Sequence, residues 1–279
     1  MTRQRVVVAL IVLPLLYALI RYAPPIALFA LVVAAVIIGQ RELCRLFHPE
    51  TSSWRLAIGL GLGGLAVWGL YRTADVYPHG TDVIATAVPA GIVAAVLLIE
   101  LFTGCRLATA LPAPGLWIFS AVYLGWMLGH VMLIRVLERG ADAVLFVVTV
   151  TWMVDSAAYF GGRRFGRRPL APVVSPKKTI EGAVAGLAGG IITALVVRLW
   201  WLPELSGVES LGAGLLLGCA GQLGDLAESM FKRRAGVKDS SGWIPGHGGL
   251  LDKVDSLVFT APTFYYYLLW VKDYGRLIM

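Results

Sequence analysis

Four aspartates stand where an apolar chain accommodates them least. Asp155, Asp225, Asp252 and Asp255 lie within or beside long hydrophobic runs, where a charged side chain at the helix centre costs about 2.5–3.5 kcal/mol on insertion scales and usually serves a function. Asp252 and Asp255 are spaced i, i+3 and share one helical face, and Asp225, Ser229 and Lys232 (i, i+4, i+7) form one stripe. The next segment adds Arg233, Lys238 and Asp239, then Gly246-His247-Gly248-Gly249, a run that lets backbone come close to a ligand. Ser175-Pro176-Lys177-Lys178-Thr179 reads as a helix start, with Ser175 as N-cap and Pro176 at N1. Free N–H groups with two lysines beside them make an anion site. Carboxylates for a divalent cation, with lysines and helix N-termini for phosphates, are the equipment of phosphoryl or nucleotidyl transfer. The competing reading, internal ion pairs plus lysines that flank membrane spans, leaves the convergence of several segments unexplained. His247, a lone loop histidine, adds little by itself.

The elements that must carry these residues are membrane helices. Of 279 residues, 58% are hydrophobic and only 15% charged, and the mean hydropathy is +0.75. Too little polar surface remains to coat a water-soluble globule, which excludes an ordinary cytosolic enzyme, a disordered chain and a disulfide-stapled secreted domain. Apolar runs and their breakers predict an all-α, polytopic helical bundle of nine spans, roughly 4–21, 25–40, 55–71, 82–103, 115–134, 142–161, 181–201, 208–231 and 251–271. The chain divides into N-terminal helices, 1–134, and a C-terminal catalytic region, 135–279. The first run reads as an uncleaved helix, because no small-x-small cleavage site follows it. Nine spans put 17 of the 24 Lys and Arg residues on the face that holds the N-terminus. That bias makes this face cytoplasmic, and it assigns the net charge of +7 to span flanks, with no nucleic acid as partner. All four aspartates fall toward the same face, Asp155 and Asp225 roughly 10 Å below its rim. Gly182-x3-Gly186 and Gly214-x3-Gly218 predict close helix packing, and glycine-rich faces permit a homodimer. Gly59-x-Gly61-x2-Gly64 matches a dinucleotide fingerprint only formally, since it lies inside an apolar span with no βαβ context. Cys44, Cys105 and Cys219 form no CxxC pair and no metal-ligand spacing.

Residues 229–255, Ser-Met-Phe-Lys-Arg-Arg-Ala-Gly-Val-Lys-Asp-Ser-Ser-Gly-Trp-Ile-Pro-Gly-His-Gly-Gly-Leu-Leu-Asp-Lys-Val-Asp, closely resemble the motif of the phosphatidate cytidylyltransferases, or CDP-diacylglycerol synthases. That motif runs S-x-hydrophobic-K-R, K-D, P-x-H-G-G and D-R-x-D. Ser175–Gly182 and Asp155-Ser-Ala-Ala-Tyr159 also look like that family, so the resemblance covers about 150–260. Lys253 departs from it, standing where the family pattern has arginine; it keeps the charge and loses the bidentate fork. The resemblance implies that CTP and phosphatidic acid give CDP-diacylglycerol and pyrophosphate for phospholipid biosynthesis, with Mg²⁺. Asp225 and Asp252 are then the expected metal ligands, with Asp255 supporting them or holding a second cation. Lys177, Lys178, Lys232, Arg233 and Lys238 would bind triphosphate or lipid phosphate, with Lys178 counted among the catalytic groups. Ser229, Asp239, His247, Gly248 and Gly249 would position phosphate or nucleotide, and Asp155 is a further candidate for the metal. The expected setting is a bacterial inner membrane with the site on its cytoplasmic side. Two rivals use similar residues: a CTP-dependent polyprenol or lipid kinase, which releases CDP, and a membrane transporter, which would show a two-halves repeat that this chain lacks.

Overall fold

The computed structural model describes residues 2–48, 53–76, 89, 112–242 and 248–271. Helix α1 spans Thr2–Tyr22, α2 Pro25–Phe47 and α3 Ser53–Val76. Pro112–Ser120, the π-helical turn Ala121–Trp126 and Met127–Arg135 run on as one rod, α4. Helix α5 spans Gly140–Phe165, α6 Ile180–Trp201, α7 Gly207–Arg234 and α8 Leu251–Trp270. Strands β1 (Pro169–Ala171) and β2 (Ser175–Thr179) pair antiparallel between α5 and α6. Among the described residues the fold is therefore all-helical apart from this hairpin. Helices occupy the expected stretches, with α2 running seven residues past its expected end at 40 and α3 five past 71; 82–103 lies, Pro89 aside, outside the described residues.

Four of these helical stretches are long and apolar enough to cross a membrane, Pro25–Phe47, Gly115–Arg135, Gly140–Phe165 and Ile180–Trp201, with shorter apolar helices at Val12–Tyr22 and Leu56–Arg72. Large apolar side chains such as Leu15, Val184, Ile192 and Trp200 stay exposed on the bundle's outside. In water that surface would be a liability; against lipid tails it is the matching solvent. The chain is an integral membrane protein. Inside, Val36, Leu43, Leu124, Met132, Phe146, Leu217 and Phe264 are fully buried, and the rings of Phe146 and Phe264 stack with centroids 5.1 Å apart.

The expected glycine contacts are present and tight. A Cβ on Gly182 would stand 2.8 Å from Ala158 O, and one on Gly214 would stand 2.7 Å from Ile191 Cα, so α5, α6 and α7 pack backbone to backbone. Helix α7 opens on a capping box, Ser206 Oγ accepting from Glu209 N while Ser206 N donates to Glu209 Oε2. The start of α6 corrects the sequence expectation. Ser175 is not its N-cap and Pro176 is not at N1; both belong to β2. Thr179 is the cap, extended at φ −120°, ψ 154°, its hydroxyl accepting from Gly182 N at 3.1 Å. Pairing with β1 holds residues 175–179 extended, and the threonine side chain takes the first turn's free N–H that a serine four residues earlier cannot reach.

Candidate active site

The site forms where the last three turns of α7 meet the first two turns of α8 and strand β2. On α7 the period of 3.6 residues aligns Asp225, Glu228, Ser229 and Lys232 on one stripe. Gly224 lets α8 come close: a Cβ there would stand 2.5 Å from Asp255 O. As a result Asp225, Glu228 and Asp255 bring carboxylate oxygens within 4.8 Å of one another. Lys178 reaches in from β2, its Nζ 2.7 Å from Asp225 Oδ2. Ser229 Oγ lies 3.5 Å from Asp225 Oδ1. Lys232 pairs with Glu228 on its own helix and donates to Asp252 Oδ1 across the gap at 2.5 Å.

Glu228, not singled out from the sequence, joins Asp225 and Asp255 in this group. Its side chain is fully buried, Lys232 is its one ion-pair partner among the described residues, and Oε1 has no hydrogen-bond donor. Asp252 is occupied otherwise. Its Oδ1 faces Lys232, and its Oδ2 accepts from Ser240 N at 3.1 Å, Ser240 Oγ at 2.9 Å and Gly249 N at 2.8 Å. It ties the loop to α8 and stands outside the group of three. Gly248 makes that wrap feasible, with φ +80° and room for no more than a hydrogen, since a Cβ would lie 2.7 Å from Asp252 Oδ2.

The three converging carboxylates fit a divalent cation of the Mg²⁺ class. They are hard oxygen donors, they come from two helices, and one oxygen of a fully buried glutamate lacks any donor. Two lysines face four acids here, Asp252 included, and a buried acid excess calls for a cation.

Beside the acids opens a cavity of about 570 Å³. Asp155, Tyr159 and Arg163 of α5 line one side, Lys177, Lys178 and Thr179 of β2 another, and Gly182 and Asp225 close it. The volume suits a small polar ligand. Two lysines stand on its wall, projecting from a strand and not from the helical turn expected at 175–182, and two of the first N–H groups of α6 are taken by Arg168 O and Thr179 Oγ1. Arg233 makes two backbone contacts near the end of α7. Its Nε donates to Val174 O at 3.1 Å and its Nη1 to Val237 O at 3.2 Å, so it braces the hairpin against the end of α7. Lys238 and Asp239 are exposed beyond that end. His247 lies outside the described residues.

Two site residues escaped the sequence reading. Glu228 carried a signal, its i+3 spacing from Asp225 on a stripe already recognised through Ser229. Glu42 carried none: it lies on α2, and its contacts are with residues about two hundred positions away.

Known proteins are similar to this chain over about half of its length. Uncharacterized protein YnbB of Escherichia coli K12 is 42% identical over 170 residues, 56% of each chain. Phosphatidate cytidylyltransferase of Haemophilus influenzae is 44% identical over 137 residues, 48% of each chain. The phosphatidate cytidylyltransferase of Bacillus subtilis is 39% identical over 150 residues, 53% of this chain and 56% of that one. The chain thus spans about half the length of the curated relatives it matches. A family model described as the cytidylyltransferase family matches residues 3–271, nearly the whole sequence. The chain belongs to the cytidylyltransferase family.

Proposed function

We propose that the protein transfers the cytidylyl group of CTP to phosphatidic acid, forming CDP-diacylglycerol and pyrophosphate. One observation carries the reading. Asp225, Glu228 and Asp255 meet within 4.8 Å, with Lys178 and Lys232 on them and a cavity of about 570 Å³ alongside. The names of the Haemophilus and Bacillus relatives support the substrate pair.

In the reaction an oxygen of the lipid phosphate attacks the α-phosphorus of CTP, the bond from that phosphorus to the bridging oxygen breaks, and pyrophosphate leaves with the electron pair. Both reactants are polyanions, and their repulsion is the first obstacle. Lys177 and Lys178 on the cavity wall offset it. Asp225, Glu228 and Asp255 would hold Mg²⁺, which neutralises charge on the transferring phosphate. Lys232 keeps Glu228 and Asp252 in place between α7 and α8. A dianionic phosphate is already a competent nucleophile, so no side chain need act as general base.

The setting belongs to the same proposal. Nine spans cross a bacterial inner membrane, with the N-terminus and the acids toward the cytoplasm, where CTP is dissolved and the lipid headgroup sits at the interface. The basic excess on that face supports the orientation. Purified protein in detergent, given labelled CTP and phosphatidic acid, should form a lipid nucleotide and pyrophosphate only when Mg²⁺ is present. Release of CDP with a phosphorylated lipid alcohol would replace this reading by the lipid-kinase one. Uptake into liposomes without CTP consumption would replace it by a transporter.

A further inference from the structure

We infer that Glu42, on a helix of the N-terminal half, is a positioning residue of the active site; the inference rests on the cytidylyltransferase reading above. Glu42 is buried, and both of its oxygens are fully used. Oε1 accepts from Ser241 Oγ at 2.6 Å and Leu250 N at 3.1 Å; Oε2 accepts from Ser240 Oγ at 3.1 Å and Leu251 N at 2.8 Å. Four donors therefore converge on one carboxylate, two from each described end of the loop between α7 and α8. The backbone pair opens α8, so Glu42 also sets a negative charge at that helix N-terminus. A Cβ on Gly249 would stand 2.5 Å from Glu42 Oε2, which shows how closely the loop is drawn onto it.

The grip passes onward to the acids by an unbroken series of contacts. Ser240 donates its backbone N–H to Asp252, and its hydroxyl lies between Glu42 Oε2 at 3.1 Å and Asp252 Oδ2 at 2.9 Å. Asp252 holds Lys232 at 2.5 Å, and Lys232 pairs with Glu228, one of the three converging carboxylates. The hydroxyl proton of Ser240 faces two carboxylates and serves one at a time, which makes the geometry depend on Glu42 being in place. Glutamine at position 42 keeps the shape and presents an amide N–H₂ to two of the four donors, leaving them unsatisfied.

The test uses the full chain in detergent with Glu42→Gln and Glu42→Ala, read in two ways on equal amounts of folded protein. Bound Mn²⁺, counted by electron paramagnetic resonance without substrate, should weaken about tenfold. The kcat for CDP-diacylglycerol formation should fall about 100-fold in Glu42→Gln and further in Glu42→Ala, as misplacement of reacting groups does. Wild-type Mn²⁺ affinity and wild-type kcat per folded molecule would overturn the inference and reduce Glu42 to a helix cap, even if the melting temperature fell. Should neither variant fold, Ser241→Ala removes the 2.6 Å bond from the loop side and is judged by the same two numbers. A wild-type protein that binds Mn²⁺ and makes no lipid nucleotide would overturn the cytidylyltransferase reading instead, and the Mn²⁺ measurement would still decide on Glu42.

Discussion

Replacing Glu228 by glutamine tests the acid group most directly, because the change removes one charge and almost no volume. The oxygens of Asp225, Glu228 and Asp255 lie within 4.8 Å of one another. At an effective dielectric of about 20, two unit charges at that distance repel by about 3.5 kcal/mol. Glu228→Gln removes its repulsions with Asp225, Asp255 and the neighbouring Asp252 and loses the attraction to Lys232, which keeps Asp252 as its partner. The two effects oppose each other and are of similar size, so the metal-free variant should fold with a melting temperature close to wild type. The divalent cation tells the forms apart. Outer-shell changes alone cost about 10–100-fold in metal affinity, and loss of a ligand should cost at least 100-fold. At a Mg²⁺ concentration 100 times the wild-type dissociation constant, binding stabilises the wild type by about 2.7 kcal/mol; a 100-fold weaker site retains about 0.4 kcal/mol. Thermal unfolding in detergent with and without Mg²⁺ should show an upward shift in the wild type that nearly vanishes in Glu228→Gln. Turnover of labelled CTP should fall in parallel and recover in part at high Mg²⁺. An unchanged Mg²⁺ shift together with unchanged turnover would refute the placement of Glu228 among the metal-binding acids.

Three further outcomes follow from the same geometry. Lys178→Met deletes the cation 2.7 Å from Asp225 and should lower kcat about 100-fold in folded protein, measured as pyrophosphate release. Thr179→Ala should cost about 1 kcal/mol in denaturant unfolding, whereas Ser175→Ala should be close to neutral, because the cap of α6 is Thr179. Gly214→Ala would press a Cβ to 2.7 Å from Ile191 Cα and should destabilise the bundle by about 1–3 kcal/mol, seen as a lower melting temperature with kcat per folded molecule unchanged.

Helices were legible because their physics is local. A run of apolar residues closed by glycine, proline or charge announces a helix at nearly its true bounds, as at 142–161 within Gly140–Phe165 and 251–271 against Leu251–Trp270. The glycine contacts of α6 and α7 were legible for the same reason, since four-residue spacing of small residues puts them on one face. The opening of α6 misled. Ser-Pro at 175–176 has the local chemistry of a helix start, and pairing with Pro169–Ala171 overrides it. That partner strand lies outside the five-residue window in which caps are read.

For the site, composition and spacing determined that carboxylates and lysines gather at one end of an apolar bundle, and that Asp225 and Lys232 share a stripe of α7. A helix turns about 100° per residue whatever its neighbours do, so a stripe can be counted along the chain. Tertiary structure alone decided which acids meet. Asp252 and Asp255 are one turn apart on α8, and only the depth at which α8 docks on Gly224 puts Asp255 with the acids of α7 and Asp252 against the loop. It alone also brought in Glu42, 209 residues from the amide of Leu251 that it accepts. Spacing along a chain fixes angles within one element; the offset between two elements comes from packing across their whole interface, and no short stretch of residues encodes it.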